Sequence, residues 1–374
     1  MEFVKLGTIL KMNKGKKPVA QSKIPKEGYL PYCDIKAFEN GKIDSYTDGV
    51  KCVECDDGDV LIVCDGSRSG LVGYAIKGYV GSTLAKISAE GVDNKFLFYF
   101  LKSKYTLLNT NVKGTGTPHV NQIILKESII NVPSLDKQQR IVERVEELFS
   151  ELDKAEKTLL KIKSQLEVYK QAVLKEAFHN CPMVSLGNIS DSRLGKMLDK
   201  KKNTGKPCYY LRNINVRWFD FQLDDLLKMP FEDKEIEKFT VKKGDLLICE
   251  GGEPGRCAVW KYDNSICFQK AIHRVRFNPQ FVPDFYAFYI LYLSKTGDLN
   301  SYFTGSGIKH LTGESLVKIP VPQLSYSEQL KIVEVLESKF SIIKNISNNF
   351  SKTLTHIKAM RQAILKEAFE GKLV

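Results

Sequence analysis

Residues 171–178 read QAVLKEAF and residues 362–369 read QAILKEAF, 191 positions apart. One echo of eight letters is chance; an echo that continues in order along the chain is a duplication. Working outward, VKLGTI (4–9) meets VSLGNI (184–189). A basic stretch follows each, KMNKGKKP ending at Pro18 and RLGKMLDKKKNTGKP ending at Pro207. YLPYCDI then meets YYLRNI, and GDVLIVCDG (58–66) meets GDLLICEGG (244–252). GTGTPHV (114–120) meets GSGIKHL (305–311), which places His119 and His310 at the same 191-residue offset as the octapeptide. INVPSL meets IPVPQL, and a long helical segment closes each copy. The 374 residues thus read as a globular module plus a helix, written twice. The expected division is a first module over 1–135, its helix over 136–180, a second module over 181–324 and its helix over 325–374.

The helical segments carry the clearest pattern. Ile141, Val145, Leu148, Leu152, Ala155, Leu159, Ile162, Leu166, Tyr169 and Val173 alternate spacings of four and three. A mean period of about 3.5 is that of a coiled-coil seam. The second copy gives Ile332, Leu336, Lys339, Ile343, Ile346, Phe350, Thr353, Ile357, Met360 and Ile364 in the same register, with Lys339 and Thr353 interrupting it. Asp136 with Gln139, and Ser325 with Glu328, have capping-box spacing. At about 1.5 Å per residue, roughly 42 residues make a rod of about 63 Å. Such a seam needs a partner, and the other copy is present at high effective concentration. Parallel pairing would gather both modules at one end, whereas antiparallel pairing would put one at each tip; the chain's short connections favour the antiparallel form. The flanking Phe149, Leu160, Phe178, Phe340 and Phe369 are expected to pack against the modules, with docking of a partner protein as the alternative.

Within each module DVLIVC and DLLICE are short apolar runs between glycine-containing turns, consistent with buried strands. Residues 94–108 and 283–296 read as helices ahead of the Gly-x-Gly loops. The fold class expected is α/β (α+β): two tandem globular domains joined by two long helices in an antiparallel intramolecular coiled coil, with internal pseudo-twofold symmetry.

Charge is distributed in blocks. Residues 1–135 carry a net +4, 136–180 are neutral, 181–322 carry +5 and 323–374 carry +3. A polyanionic partner fits this, as does ordinary lysine-rich solvation. The amino-terminal stretch lacks the uncharged apolar core of a signal peptide, and no run reaches the roughly 18 apolar residues of a membrane span. The expectation is a cytoplasmic protein with no membrane partner. Nine scattered cysteines include one metal-like spacing, Cys52 and Cys55; without a second pair, reduced structural thiols are the preferred reading over zinc. The sequence holds no P-loop, dinucleotide fingerprint, His-Glu-x-x-His helix or Gly-x-Ser-x-Gly elbow, so neither a catalytic centre nor a cofactor is expected.

Binding residues are better marked. Basic residues recur at matching positions: Lys11, Lys14, Lys16 and Lys17 in one copy, Arg193, Lys196, Lys200, Lys201, Lys202 and Lys206 in the other. Recurrence suggests phosphate contact, although a charge run is also an ordinary solvated face. Arg68 and Arg256 each sit on a glycine-bearing loop, suited either to guanine readout or to a surface ion pair, and Arg212 follows the aromatic segment of the second module. Gly114, Gly116 and His119, with Gly305, Gly307, Lys309 and His310, offer close backbone approach beside a histidine. The other reading of these loops is a structural turn. The loops that differ most, RSGLVGYA against EPGRCAVW, predict two different half-sites on a shared frame.

Taken together, VSLGNI, GDLLI, GSGIKHLTGESLVKIPVPQLSYSEQLKIV and the terminal QAILKEAFEGKLV resemble the specificity subunits of type I restriction–modification enzymes over essentially the whole chain. The first copy departs from the pattern. It has SLDKQQRIV in place of a Glu-Gln pair, and its Gly-x-Gly loop lies two residues further from the following proline. The resemblance implies two target recognition domains, each reading half of a bipartite double-stranded DNA site, with the helices fixing the spacer. It further implies a non-catalytic chain assembled with two modification subunits, which methylate adenine at N6 using S-adenosylmethionine, and with ATP-consuming restriction subunits. Two other classes compete: a restriction or modification enzyme, whose Asn-Pro-Pro-Tyr loop or metal cluster is not found here, and a structural adaptor built on the coiled coil.

Overall fold

The computed structural model describes residues 2–114, 116–199 and 203–374. It resolves into two compact units, Met1–Leu159 with Ser351–Val374, and Leu160–Phe350. In the first unit an antiparallel sheet runs in the order Leu10–Lys14, Leu84–Ala89, Val60–Val63, Val72–Tyr74. In the second unit the order is Ser190–Leu194, Ile272–Phe277, Leu246–Cys249, Cys257–Val259. A smaller sheet accompanies each, containing one parallel pair, Leu30–Cys33 beside Gly78–Val80 and Lys206–Leu211 beside Ile266–Phe268. A two-stranded ribbon closes each module, Glu2–Lys5 with Ile129–Val132 and Met183–Ser185 with Pro320–Pro322. The duplicated letters therefore encode one topology twice.

The uninterrupted apolar runs have a simple cause. Val60 and Ile62 face the cluster under the helix Asn94–Thr110, while Leu61 and Val63 face a second cluster on the opposite side. Leu246 and Ile248 against Leu247 and Cys249 repeat this in the second unit. A strand covered on both faces has no polar positions to alternate with. The preceding Gly-Asp is turn chemistry. Gly58 and Gly244 have φ of 84° and 90°, and Asp59 and Asp245 accept from the backbone N–H of Asp56 and Lys242 at 2.8 and 2.7 Å.

The long helices run Leu135–Ala177 and Tyr326–Phe369. Each unit contains an antiparallel length of both. In the first, Arg361 bonds Asp153 and Glu156 at 2.5 and 3.3 Å, and Leu365 and Ala368 are buried with Ile141, Val142, Val145 and Phe149. In the second, Val173, Leu174 and Phe178 are buried with Val333 and Leu336, and Lys339 lies 3.9 Å from Glu176. The octapeptide is the part that docks. Phe178 meets Phe285 and Tyr289 edge-on at 5.4 and 5.1 Å, while Phe369 meets Phe96 and Phe100 edge-on at 5.1 and 5.4 Å. Each copy of the octapeptide therefore seals the helix of a module, Pro283–Thr296 for the first and Asn94–Thr110 for the second. Phe149 and Phe340 likewise pack edge-on against Tyr99 and Phe288, whereas Leu160 is 51% exposed.

Two expectations change. The seam is not evenly buried: Ile141, Val145, Leu152 and Val173 are covered, but Ile162 and Tyr169 are 40% and 47% exposed. In the second helix Leu336, Ile343, Phe350 and Ile357 are buried at every seventh position, and Ile346 and Met360 are not. A single partner helix covers only a narrow stripe, and module side chains complete the wall near the ends. The Ser325–Glu328 capping box forms, with Ser325 N–H donating to Glu328 at 2.9 Å and Glu328 N–H to Ser325 Oγ at 3.4 Å. The Asp136–Gln139 box does not, because the first helix already begins at Leu135, which places Asp136 within the first turn. Its neighbour Gln138 turns inward instead. Fully buried, Gln138 accepts from Asp93 N–H at 2.8 Å and donates to the carbonyls of Gly91 and Pro133 at 2.9 Å each. Gln329 repeats the clasp on Val282 N–H and the Leu324 carbonyl.

Candidate nucleic-acid interface

The functional loops are held by the end of the central strand. In the first module Gly66 N–H donates to the Pro118 carbonyl and Val120 N–H to the Cys64 carbonyl, both at 2.8 Å. Lys113 and His119 exchange two backbone bonds of 2.9 and 2.7 Å, which close the Gly-x-Gly loop into a hairpin. Buried Ser69 ties the neighbouring turn down by donating to Gly66 O at 2.7 Å, with Cys64 O and Pro118 O each 3.2 Å away. The Asp65–Gly70 turn and the histidine loop are thus one bonded assembly.

Asp65 sits at its centre. One carboxylate oxygen lies 2.7 Å from His119 Nδ1 and the other 2.8 Å from Lys14 Nζ. Burial alone would push the Asp65 carboxyl up, but the bonds from Lys14 and His119 outweigh it and hold it below the ordinary carboxylate value. Lys14 shifts up in turn, chiefly through its bond to Asp65. Lys16 and Lys17 follow on exposed backbone, and neither has an ion-pair partner among the described residues. Tyr32 fixes that segment by donating to the Lys16 carbonyl at 3.3 Å while accepting from Ser82 N–H at 2.7 Å.

The second module repeats the frame with different occupants. Thr304 and His310 exchange backbone bonds of 2.8 and 2.9 Å, and Leu311 N–H reaches the Glu250 carbonyl at 2.8 Å. This register aligns Gly251 with Asp65. A Cβ at Gly251 would lie 3.2 Å from His310 Nδ1, so the ring covers the place a carboxylate occupies in the first copy. The loop is steadied from below, where buried His273 donates Nε2–H to the Leu311 carbonyl at 2.8 Å. Burial, the dominant cause, pushes the His273 pKa below its ordinary value.

The loop glycines divide by role. Gly114 and Gly305 have φ of 96° and 97°, and a Cβ on Gly114 would lie 2.7 Å from the Thr117 carbonyl, so the turn itself requires them. Gly116 and Gly307 have open space where a Cβ would go. Nothing in the fold demands glycine there, which suits close approach by a partner. Lys309 is exposed, 6.0 Å above the Phe303 ring.

The other basic residues are not equivalent between copies. Leu71 N–H bonds Arg68 O and Arg256 N–H bonds Glu253 O, so Arg68 corresponds to Glu253 and Arg256 to Leu71. Arg68 is half exposed and paired with Glu39. Arg256 keeps only 14% of its side chain exposed; it donates to the Asn213 carbonyl at 2.9 Å and pairs with Glu253 at 2.8 Å. Arg212 donates to the carbonyl and carboxylate of Asp225 at 2.7 and 2.6 Å. Lys196 is an internal strut, 6% exposed, bonded to Glu235 and the Pro230 carbonyl at 2.5 and 2.8 Å. Lys206 is exposed and pairs with Asp233 at 3.0 Å, Lys11 is exposed, and Arg193 is half-buried. Lys200, Lys201 and Lys202 lie outside the described residues. Three groups escaped the sequence reading: Asp65, His273, and the pair of exposed Tyr209 with Lys228 Nζ 4.4 Å from its ring centre.

Among the described residues no three His, Cys, Asp or Glu side chains gather as a metal site, and no helix is long and apolar enough to cross a membrane. What the loops present is cations, histidine rings and uncovered glycine backbone, a set that meets phosphates and base edges. The comparisons agree with that chemistry. The family model for the type I restriction modification DNA specificity domain matches residues 1–163 and again 181–355. The type I restriction enzyme MjaVIII specificity subunit of Methanocaldococcus jannaschii is 24% identical, over 100% of this chain and 92% of its own. The EcoBI specificity subunit of Escherichia coli is 22% identical over 84% of this chain and 73% of its own. Among solved structures, a chain from a type I R-M system described in terms of complex assembly and conformational transition has a TM-score of 0.80 at 21% identity, covering 99% of this chain and 98% of that one. The HsdS subunit from Thermoanaerobacter tengcongensis has a TM-score of 0.60 at 19% identity, over 99% and 97%. With the family domain matched once in each half of a chain that repeats one fold, the protein belongs to the type I restriction–modification DNA specificity family.

Proposed function

We propose that this chain is the DNA-specifying subunit of a type I restriction–modification complex. Residues 1–135 and 181–324 act as target recognition domains, each reading half of a bipartite duplex site. Residues 136–180 and 325–374 form the antiparallel coiled coil that sets the spacer. The observation that carries this reading is the repetition of one loop assembly with different residues in it, Asp65 over His119 in one copy and Gly251 under His310 in the other. A common frame with altered occupants is what two different half-sites require. The proposed contacts are Lys14, Lys16, Lys17, Gly116, His119, Gly307, Lys309 and His310. Arg212 and Arg256 are reassigned to holding the second module's loops, given their internal bonds.

The chain itself carries no catalysis in this reading. It works in the cytoplasm with two modification subunits, which methylate adenine, and with restriction subunits that consume ATP. Co-expression with the candidate modification subunits, followed by sequencing of methylated DNA, tests the proposal. One bipartite adenine-methylated motif is expected. Methylation without a bipartite motif, or none that depends on this chain, removes it.

A further inference from the structure

The two histidine loops share their backbone frame but not the state of their rings. In the first, His119 Nδ1 faces a carboxylate at 2.7 Å. An ionised carboxylate only accepts, so Nδ1 must carry the proton it shares with Asp65. Lys14, 2.8 Å from the other oxygen, already balances that negative charge, so the ring need not be cationic to do so. A neutral ring with its proton on Nδ1 has a lone pair on Nε2, and Nε2 has no partner among the described residues. The side chain is 53% exposed on the loop that carries uncovered Gly116. An outward acceptor meets base edges selectively: in the major groove adenine N6 and cytosine N4 present amino donors, whereas guanine and thymine present acceptors at the corresponding place.

We propose that Asp65 and His119 form a specificity pair in the first module, with His119 Nε2 accepting from the exocyclic amino group of an adenine or cytosine. Asp65 is the positioning residue, fixing both tautomer and ring orientation. The second module lacks the device. Gly251 replaces the carboxylate, and His310 is held through backbone bonds at Thr304 and through the His273 bond to Leu311, none of which reaches its ring nitrogens. The inference rests on the DNA-specificity reading and assigns it a polarity at one position.

Methylated-site sequencing on a randomised duplex library, with the complex of this chain and its modification subunits, tests the pair. In the wild type one position of the first half-site should admit adenine or cytosine on one given strand, with thymine or guanine opposite, and exclude the two reversed pairs. His119→Ala should relax that position by about tenfold and leave the second half-site unchanged. His119→Gln, whose amide oxygen also accepts, should keep the preference. Asp65→Ala should relax the same position, and if that variant fails to assemble, the exposed His119 variants decide alone. A motif unchanged by His119→Ala, or a relaxed position that in the wild type already accepts a base pair in both orientations, overturns the pair while leaving the specificity reading intact. A wild-type complex with no bipartite motif overturns that reading, and the pair with it.

Discussion

Lys16 and Lys17 stand on exposed backbone at the edge of the first module's loop assembly, without ion-pair partners among the described residues. If both lie at phosphates, binding releases about one counterion for each, and the log–log salt slope contains about −0.9 per contact. Lys16→Ala with Lys17→Ala should therefore flatten the slope by about 1.8. Between about 50 and 200 mM salt, a fourfold change, the gap between wild type and double variant should narrow by about 12-fold. Fluorescence anisotropy of a labelled duplex, titrated with the complex of this chain and its modification subunits at four or more salt concentrations, measures this directly. Lys206→Ala is the internal comparison: that lysine is bonded to Asp233 at 3.0 Å, so releasing it should alter the slope by less than half as much. A double variant with the wild-type slope, whatever its affinity at one salt concentration, would refute the phosphate assignment.

Three further outcomes can be measured. Gln138→Leu preserves volume but leaves a half-buried N–H and two carbonyls, one on exposed Gly91, without their partner; water can reach these groups, so the cost is about 1–3 kcal/mol. Gln329→Leu orphans the buried Val282 N–H as well as the Leu324 carbonyl and should cost about 2–4 kcal/mol, and calorimetric melting unchanged in both variants counts against the clasp. His273 has its folded-state pKa depressed by burial, so the stability it contributes is complete above the unfolded value of about 6.5 and declines as pH falls through that region. Between pH 7 and 5 the wild type should lose more stability than His273→Gln, with a limiting slope of about 1.4 kcal/mol per pH unit; equal slopes would exclude this histidine as the source. Gly114→Ala should lower the melting temperature through its left-handed φ, whereas Gly116→Ala should leave melting unchanged and weaken DNA binding, and the reverse pattern would mean the two roles are misassigned.

The duplication, the buried central strands and the docking phenylalanines were legible because each rests on a local pattern: a repeated string, an unbroken apolar run, or Phe178 and Phe369 at the same place just beyond the last seam positions, Val173 and Ile364. The pairing of the arginines was not. Letters place Arg68 and Arg256 on similar loops, but backbone bonding sets Arg256 opposite Leu71, and a register of this kind exists only once the turn has closed. Asp65 was invisible for a related reason, since its partner His119 lies 54 residues away and no spacing rule connects them. Gln138 drew no notice, because by its letters it resembles a surface residue of a first turn. Its neighbour Asp136 fits a cap by spacing, yet the helix starts one residue earlier and turns the glutamine inward. Lys196 shows the limit of charge runs, because one member of an apparently solvated stretch is an interior strut.

The first unit is built from both extremes of the sequence, Met1–Leu159 and Ser351–Val374, while the second is a continuous stretch. A ribosome therefore delivers the material for Leu160–Phe350 without interruption, but must finish the helix Tyr326–Phe369 before Leu365, Ala368 and Phe369 can plug the side of the module made ahead of it. At about 5–20 residues per second the wait is roughly 10–40 s. During that interval Phe96 and Phe100 lack their lid, so a nascent or prematurely stopped chain presents an oily wound at its amino-terminal end. A cover over those two rings during the interval would raise the share of chains that complete the fold.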